Sequence, residues 1–339
     1  MEKIYLYGVL AGEVGVKPCE VNVNGGSIKI DSLTLGDISV VFSMVLPDFL
    51  SRCTRNEILD WIVRHQQVIS YLYSRSKVIP FKVGATVGSI GELASLMQAN
   101  GDFFLNILKA IKELDEWNVV IGFANLQRAV LMAGEETAVR MLKEQIRKKG
   151  CTTREDLIEV GQLIQKILTG WKKRVAGQFI NEVKSITDCT FYNNQLDEGT
   201  LLSMAVLTTR EGADKIAEIL NSLPGDPDLS ARMVGPMPPH SFYTLEIKGI
   251  SEESLKNALN ILGLAGIPHY RDIVEAKKSI LHHVHPDKGT RHDGSQVQTV
   301  LDSFNLLDCY YRHKNFSVSK LEDAFMVRVA NTRQYNGDE

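Results

Sequence analysis

The sequence predicts an α+β protein, with two α+β domains of the ferredoxin-like kind followed by a small all-α domain. Three observations predict it. Short apolar or alternating runs, bounded by turn residues, are interleaved with segments of three-four periodicity up to about residue 124, and again before residue 250. Between them, Leu126 to Lys184 reads as wholly helical. After Ile250 the pattern is helical alone. The expected division is 1–124, 125–250 (a helical stretch plus the second α+β domain), 251–315 and a tail over 316–339.

The 339 residues give room for two or three domains. Hydrophobic residues make up 44% and charged residues 23%, an ordinary balance for a soluble globular chain. The formal net charge of −3 excludes a global basic field for nucleic acid. The five cysteines are scattered without a CxxC pair, which predicts free thiols in a reducing cytoplasm. The start, Met1-Glu-Lys-Ile-Tyr-Leu-Tyr-Gly8, reads as a strand and not a signal peptide. No run approaches the ~18 apolar residues of a membrane span, so no membrane partner is expected.

In chain order, Ile4–Leu10 is a strand. Glu20–Ile30 alternates around Asn24-Gly25-Gly26 and predicts a hairpin. Ile38–Val45 is a continuous apolar strand, stopped at Pro47. Ile58, Trp61, Ile62, His65, Ile69 and Leu72 recur at helical spacing, which places His65 on an apolar stripe as a core histidine. Val78–Val83 is a strand closed by Gly84; helices follow over about Ile90–Gln98 and Gly101–Leu114. Glu116–Ile121 is the last strand of the first half. Thr152-Thr-Arg-Glu155 is a capping box for a helix reaching about Ser185, with Lys172-Lys173-Arg174 as a solvated face. Leu201–Thr208 is a strand, Gly212–Leu223 a helix and Pro224-Gly-Asp-Pro227 a turn. Ala231–Val234 then leads into a strand over Phe242–Ile247.

The stretch Val234-Gly-Pro-Met-Pro-Pro-His-Ser-Phe242 stands apart. Its prolines and Gly235 restrict the backbone before any packing. It holds no nucleophile, carboxylate pair or phosphate cradle, and no catalytic constellation is found elsewhere, so no enzyme is expected. The string resembles the GPxPPYSF signature of the GvpL/GvpF family of gas vesicle proteins, through Gly235, Pro236, Pro238, Pro239, Ser241 and Phe242, with His240 in the usual tyrosine place. Tyr5-Leu-Tyr-Gly8, Gly36–Ser43, Arg64-His65, Val78–Thr86 and Glu116-Trp117 are similar to further family segments, in the family's order, with Lys82-Val83 where Arg-Phe is usual. The resemblance covers about residues 1–250. It implies a non-enzymatic gas vesicle accessory protein without cofactor or metal. Its partners would be the small apolar shell protein and other accessory proteins, in the cytoplasm and at the gas vesicle.

Beyond residue 250, Leu255–Leu262, Pro268–Val284 and about Ser295–His313 read as three helices, with His285-Pro-Asp-Lys288 between the last two. Ala258-Leu-Asn-Ile-Leu-Gly263, Ile273, Ala276, Phe304 and Leu307 fit the same pattern. This resembles a J domain, the module by which DnaJ-type cochaperones engage DnaK-type ATPases. The resemblance implies a partner-binding loop of His285, Pro286, Asp287 and Lys288, with Arg271, Lys277 and Lys278 as the basic helix. Lys277 stands at a usual aromatic position. The four histidines of 282–292 lack a cysteine to complete a metal set. The rival function is a cochaperone recruiting a DnaK-type chaperone to vesicle proteins.

Overall fold

The computed structural model describes residues 2–12, 19–23, 26–46, 53–193, 196–223, 229–284, 294–314, 316–321 and 324–330. Two compact units emerge: one joins the residues up to Ile107 with Thr244–Ala330, and the other is Leu108–Tyr243.

The first unit begins with four strands in succession: β1 (Lys3–Ala11), β2 (Cys19–Val23), β3 (Gly26–Leu35) and β4 (Ile38–Val45). Helix α1 (Arg55–Tyr73), β5 (Val78–Pro80), β6 (Thr86–Val87) and α2 (Ile90–Ala110) follow. The hairpin predicted around Asn24-Gly25-Gly26 is present, with Val23 opposite Gly26 and Cys19 opposite Ile30. The sheet order is β2-β3-β4-β1-β5, with β6 also paired to β1. A ferredoxin-like unit needs a helix between its first two strands. Here a meander comes first, so the ferredoxin-like expectation fails for this sheet. Apolar side chains of β1 and β4 pack with Val68, Ile69 and Leu72 of α1.

Two helical readings change. The helices expected over 90–98 and 101–114 are one, α2. Its buried positions Leu93, Leu96, Met97, Phe104, Ile107 and Leu108 keep one stripe running past Gly101. Asn100 stays within it by donating to the Leu96 carbonyl at 2.8 Å. In α1 the buried stripe is His65, Val68, Ile69 and Leu72; Ile58 and Ile62, expected on it, are exposed.

The second unit opens with β7 (Asp115–Phe123). Expected to close the first half, this strand instead lies inside the second sheet, between its neighbours β9 and β10. Three helices follow, α3 (Leu126–Gly134), α4 (Thr137–Lys148) and α5 (Arg154–Lys184), then β8 (Thr190–Tyr192), β9 (Thr200–Thr208), α6 (Arg210–Asn221) and β10 (Leu229–Met237). The order is β10-β7-β9-β8, antiparallel throughout, with helices between β7 and β8 and between β9 and β10 in chain order. Val119 and Ile121 of β7 pack against Val175, Phe179 and Val183 of α5 and Ile216 of α6. Thr153 and Asp156 form a capping box at the start of α5, and Lys149 reaches Asp156 at 2.9 Å.

The remaining elements return to the first unit: β11 (Leu245–Ile250), α7 (Glu252–Ile261), α8 (Tyr270–Val284), α9 (Gly294–His313) and β12 (Ala324–Val329). β11 starts later than predicted and pairs with β12, Leu245 opposite Val329. The tail expected over 316–339 therefore contains a strand, because Ala324–Val329 pairs antiparallel with Leu245–Ile250. Residues 331–339 lie outside the described residues.

Candidate functional site

The sequence-predicted residues fall into three places. The first is the meeting of β7 with β10. Pairing runs regularly from Leu229 opposite Phe123 to Val234 opposite Asn118, then shifts so that Met237 faces Glu116. Gly235 and Pro236 together stand opposite Trp117 alone, one residue in excess, and the peptide between them is cis. A Cβ on Gly235 would stand 2.6 Å from the Trp117 ring and 2.8 Å from the Glu116 carbonyl, so glycine is required by close approach. The Arg210 guanidinium lies 5.3 Å from the Trp117 ring centroid.

Beyond Met237 the chain turns through Pro238 and Pro239, both buried, with the Phe242 and Tyr243 amides donating to the Pro239 carbonyl. Glu116 holds this turn. One carboxylate oxygen accepts the Ser241 amide at 2.8 Å and the other the Ser241 hydroxyl at 2.7 Å. Glu116 is buried, and burial pushes its carboxyl up while the two Ser241 bonds oppose the shift. Burial also pushes His240 down to about 4, which keeps it neutral. A serine beside a carboxylate invites a nucleophilic reading. Yet both carboxylate oxygens are occupied by one residue of the same turn, which is the geometry of a clasp. An open groove of about 480 Å³ adjoins it on the sheet face, lined by Asn118, Val120, Phe191, Arg232 and Val234 together with Ser241.

The second place surrounds His65. Its Nε2–H donates to the Phe81 carbonyl at 3.0 Å, which leaves Nδ1 to accept the Tyr5 hydroxyl at 2.9 Å. The Tyr5 oxygen accepts the Gly84 amide at 3.3 Å. The ring stacks on Tyr7 with centroids 5.5 Å apart. The opening strand, α1 and the segment after β5 thus converge on one buried imidazole that is spent on structure. Desolvation raises the hydroxyl pKa of both Tyr5 and Tyr7. Arg64 is half-buried beside it.

The third place is α8. Arg271 pairs with Glu275 at 2.9 Å, and the Lys277 ammonium sits 3.9 Å from the Phe304 ring centroid. Lys278 is exposed. Tyr270 donates to Asp308, which also receives Arg312 at 2.9 Å, so the Tyr270 hydroxyl ties α8 to an ion pair within α9. His285, Pro286, Asp287 and Lys288 lie outside the described residues.

Sequence reasoning missed two features. Glu116 and Ser241 are 125 residues apart, and neither spacing nor periodicity links them. The first two turns of α1 expose Ile58, Leu59, Ile62 and Val63 together. Their signal was present: Leu59 and Val63 fall off the stripe that His65 and Leu72 define. Among the described residues no group of three His, Cys, Asp or Glu side chains could hold a metal ion, and no helix is long and apolar enough to cross a membrane.

Comparison with known proteins gives a consistent result. The family model described as gas vesicle synthesis protein GvpL/GvpF matches residues 3–244. The crystal structure of the gas vesicle protein GvpF from Anabaena sp. PCC7120 is similar with a TM-score of 0.58 at 17% identity, covering 72% of this chain and 99% of that one. GvpF from Microcystis aeruginosa is similar with a TM-score of 0.52 at 15% identity, covering 71% and 99%. At these identities the two structures speak for the fold. No curated protein matches the chain.

Proposed function

Because this chain belongs to the gas vesicle synthesis protein family GvpL/GvpF, we propose that it is a non-enzymatic accessory protein that binds the small apolar shell protein and assists its assembly. The observation that carries the reading is the exposed aliphatic face of α1: Ile58, Leu59, Ile62 and Val63. A monomer with an apolar face aggregates until it polymerises, and a soluble protein offering a matching face holds it meanwhile. We assign the protein to the cytoplasm and the forming vesicle, with other accessory proteins as further partners and no cofactor, nucleic acid or membrane. Arg64 and His65 shape the unit that presents this face, and Gly235, Pro236, Pro238, Pro239, Ser241 and Phe242 shape the other unit. Co-expression of the shell protein with the full chain, followed by pull-down, tests the reading. Retention by the wild type and its loss in Leu59→Gln/Ile62→Gln is expected; no retention by the wild type sinks it.

A second reading is favoured by one observation, the three helices α7, α8 and α9 packed around Leu255, Leu259, Ile273 and Leu307. In this reading, residues 251–315 are a J-like module that recruits a DnaK-type chaperone to vesicle proteins, with His285 and Asp287 meeting the ATPase. Arg271 and Lys277 already have partners within the module, so the basic face it offers is small. The full chain should then stimulate a DnaK-type ATPase and His285→Gln should abolish the stimulation. An unchanged ATPase rate with the wild type would dismiss it.

A further inference from the structure

Among the described residues the first unit holds two distinct clusters of buried apolar side chains. One gathers residues such as Tyr5, Val41 and Ile69; the other gathers Ile250, Leu259, Leu307 and Tyr311. The first is drawn from the N-terminal sheet and α1, the second from the C-terminal helices and the β11–β12 ribbon. The chain after β5 and the start of β11 meet at a seam. There Phe81 and Leu245, both buried, form a parallel bridge, and the Lys82 amide donates to the Leu245 carbonyl at 2.8 Å.

One residue further, Glu246 faces a cation on each side of the seam. Lys82 Nζ reaches one carboxylate oxygen at 2.8 Å; the Arg328 guanidinium reaches the other at 2.7 and 3.0 Å. Arg328 stands directly opposite Glu246 in the β11–β12 register, so the ribbon itself holds that cation in place. The Glu246 side chain is 23% exposed, whereas Lys82 and Arg328 are 57% and 53% exposed. The carboxylate is therefore largely sheltered and its partners are open to counterions. Hydrogen bonds from Lys82 and then Arg328 hold its pKa below the usual range.

We propose that Glu246 is the latch of a releasable joint that fastens the C-terminal helical module to the rim of the N-terminal sheet. The joint has two components of different character. The Phe81–Leu245 contact and the main-chain hydrogen bond are indifferent to salt. The Lys82–Glu246–Arg328 clamp is ionic and partly exposed, so it weakens as ionic strength rises. With the clamp made, the helices move with the sheet; with it broken, the apolar contact and one hydrogen bond remain, and the module swings more freely on its chain connection.

The Lys82 amide reports on the joint, because its acceptor lies across the seam. Residue-resolved hydrogen exchange on the full chain, at low salt and at about 1 M salt, compares the wild type with Glu246→Gln. At low salt the variant should exchange the Lys82 amide about two- to fivefold faster, the range that the one exposed ion pair across the seam supplies. High salt should speed the wild type to a similar degree and leave the variant unchanged. Amides of β7 and β9, in the other unit, should keep their protection. If those amides also lose protection, the variant has unfolded, and Lys82→Gln replaces it under the same criteria. Equal Lys82 exchange in wild type and variant, or a wild type insensitive to salt, overturns the proposal and leaves the seam to its main-chain and apolar contacts.

Discussion

Glu116 in the second unit and the first two turns of α1 in the first unit invert the usual partition in opposite directions. The carboxylate is 1% exposed, while Ile58, Leu59, Ile62 and Val63 are 37%, 53%, 37% and 43% exposed. A buried carboxylate persists only when its hydrogen bonds are made, and Ser241 makes them. An exposed aliphatic face has no internal partner and gains from an external one. The clasp lies in the stretch with the most distinctive sequence; the aliphatic face has no distinctive motif at all. A motif can thus mark what holds a fold, while the surface that meets a partner is written in plain aliphatic residues.

The sharpest way to break the comparison is at Gly235. Gly235→Val drives a side chain into the Trp117 ring and should cost about 3–4 kcal/mol in urea unfolding. A neutral result would remove the close-packing account of the signature. Glu116→Ala leaves the Ser241 amide and hydroxyl without acceptors and opens a cavity; a loss of about 2–3 kcal/mol is expected, and a stabilised protein would mean that burial of the charge outweighs the clasp.

His240 adds a pH signature. Its unfolded-state pKa is the ordinary 6.5 and its folded value about 4, lowered by burial. Between these values the unfolded chain binds a proton that the folded chain refuses, so stability falls as pH drops through that window and levels off below it. The expected loss is about 2 kcal/mol, discounted for partial exposure. It should vanish in His240→Phe, so the stability difference between variant and wild type should widen as pH falls from 6.5 to about 4; parallel pH profiles for the two would refute it. The smallest stability effect belongs to the other pole: Leu59→Gln with Ile62→Gln should change stability by under about 0.5 kcal/mol, although it removes the aliphatic face. A large destabilisation would show that this face is packed in solution.

Much of the fold was legible because local chemistry dictated it. Asn24-Gly25-Gly26 announced its hairpin, and Ile38–Val45 was bounded as found. The failures arose where partners are distant in sequence. Nothing in Glu116–Ile121 says that it pairs with Leu229–Met237 rather than with the strands before it. Two helices were expected, over Ile90–Gln98 and Gly101–Leu114, because local spacing did not show that one stripe through Met97 and Phe104 carries a single helix across the join. At the candidate site, the sequence marked Gly235 and the prolines as conformational devices and singled out Glu116 and Ser241 separately, but could not show that the two meet. Spacing along a chain carries no information about a hydrogen bond closed across 125 residues.

The pairing of β11 with β12 also sets the order in which the molecule can be completed. Leu108–Tyr243 is an insertion between two parts of one unit. On a ribosome, the strands and α1 of the N-terminal sheet emerge first, and the whole insertion follows and can fold as a body. The seam at Leu245 cannot close with its Arg328 clamp until translation has passed residue 328. For the time taken to add the last ~80 residues, several seconds at ordinary elongation rates, the sheet rim at Phe81 and Lys82 waits without its cover. A nascent chain is therefore open to outside strands at that edge in a way the finished protein is not.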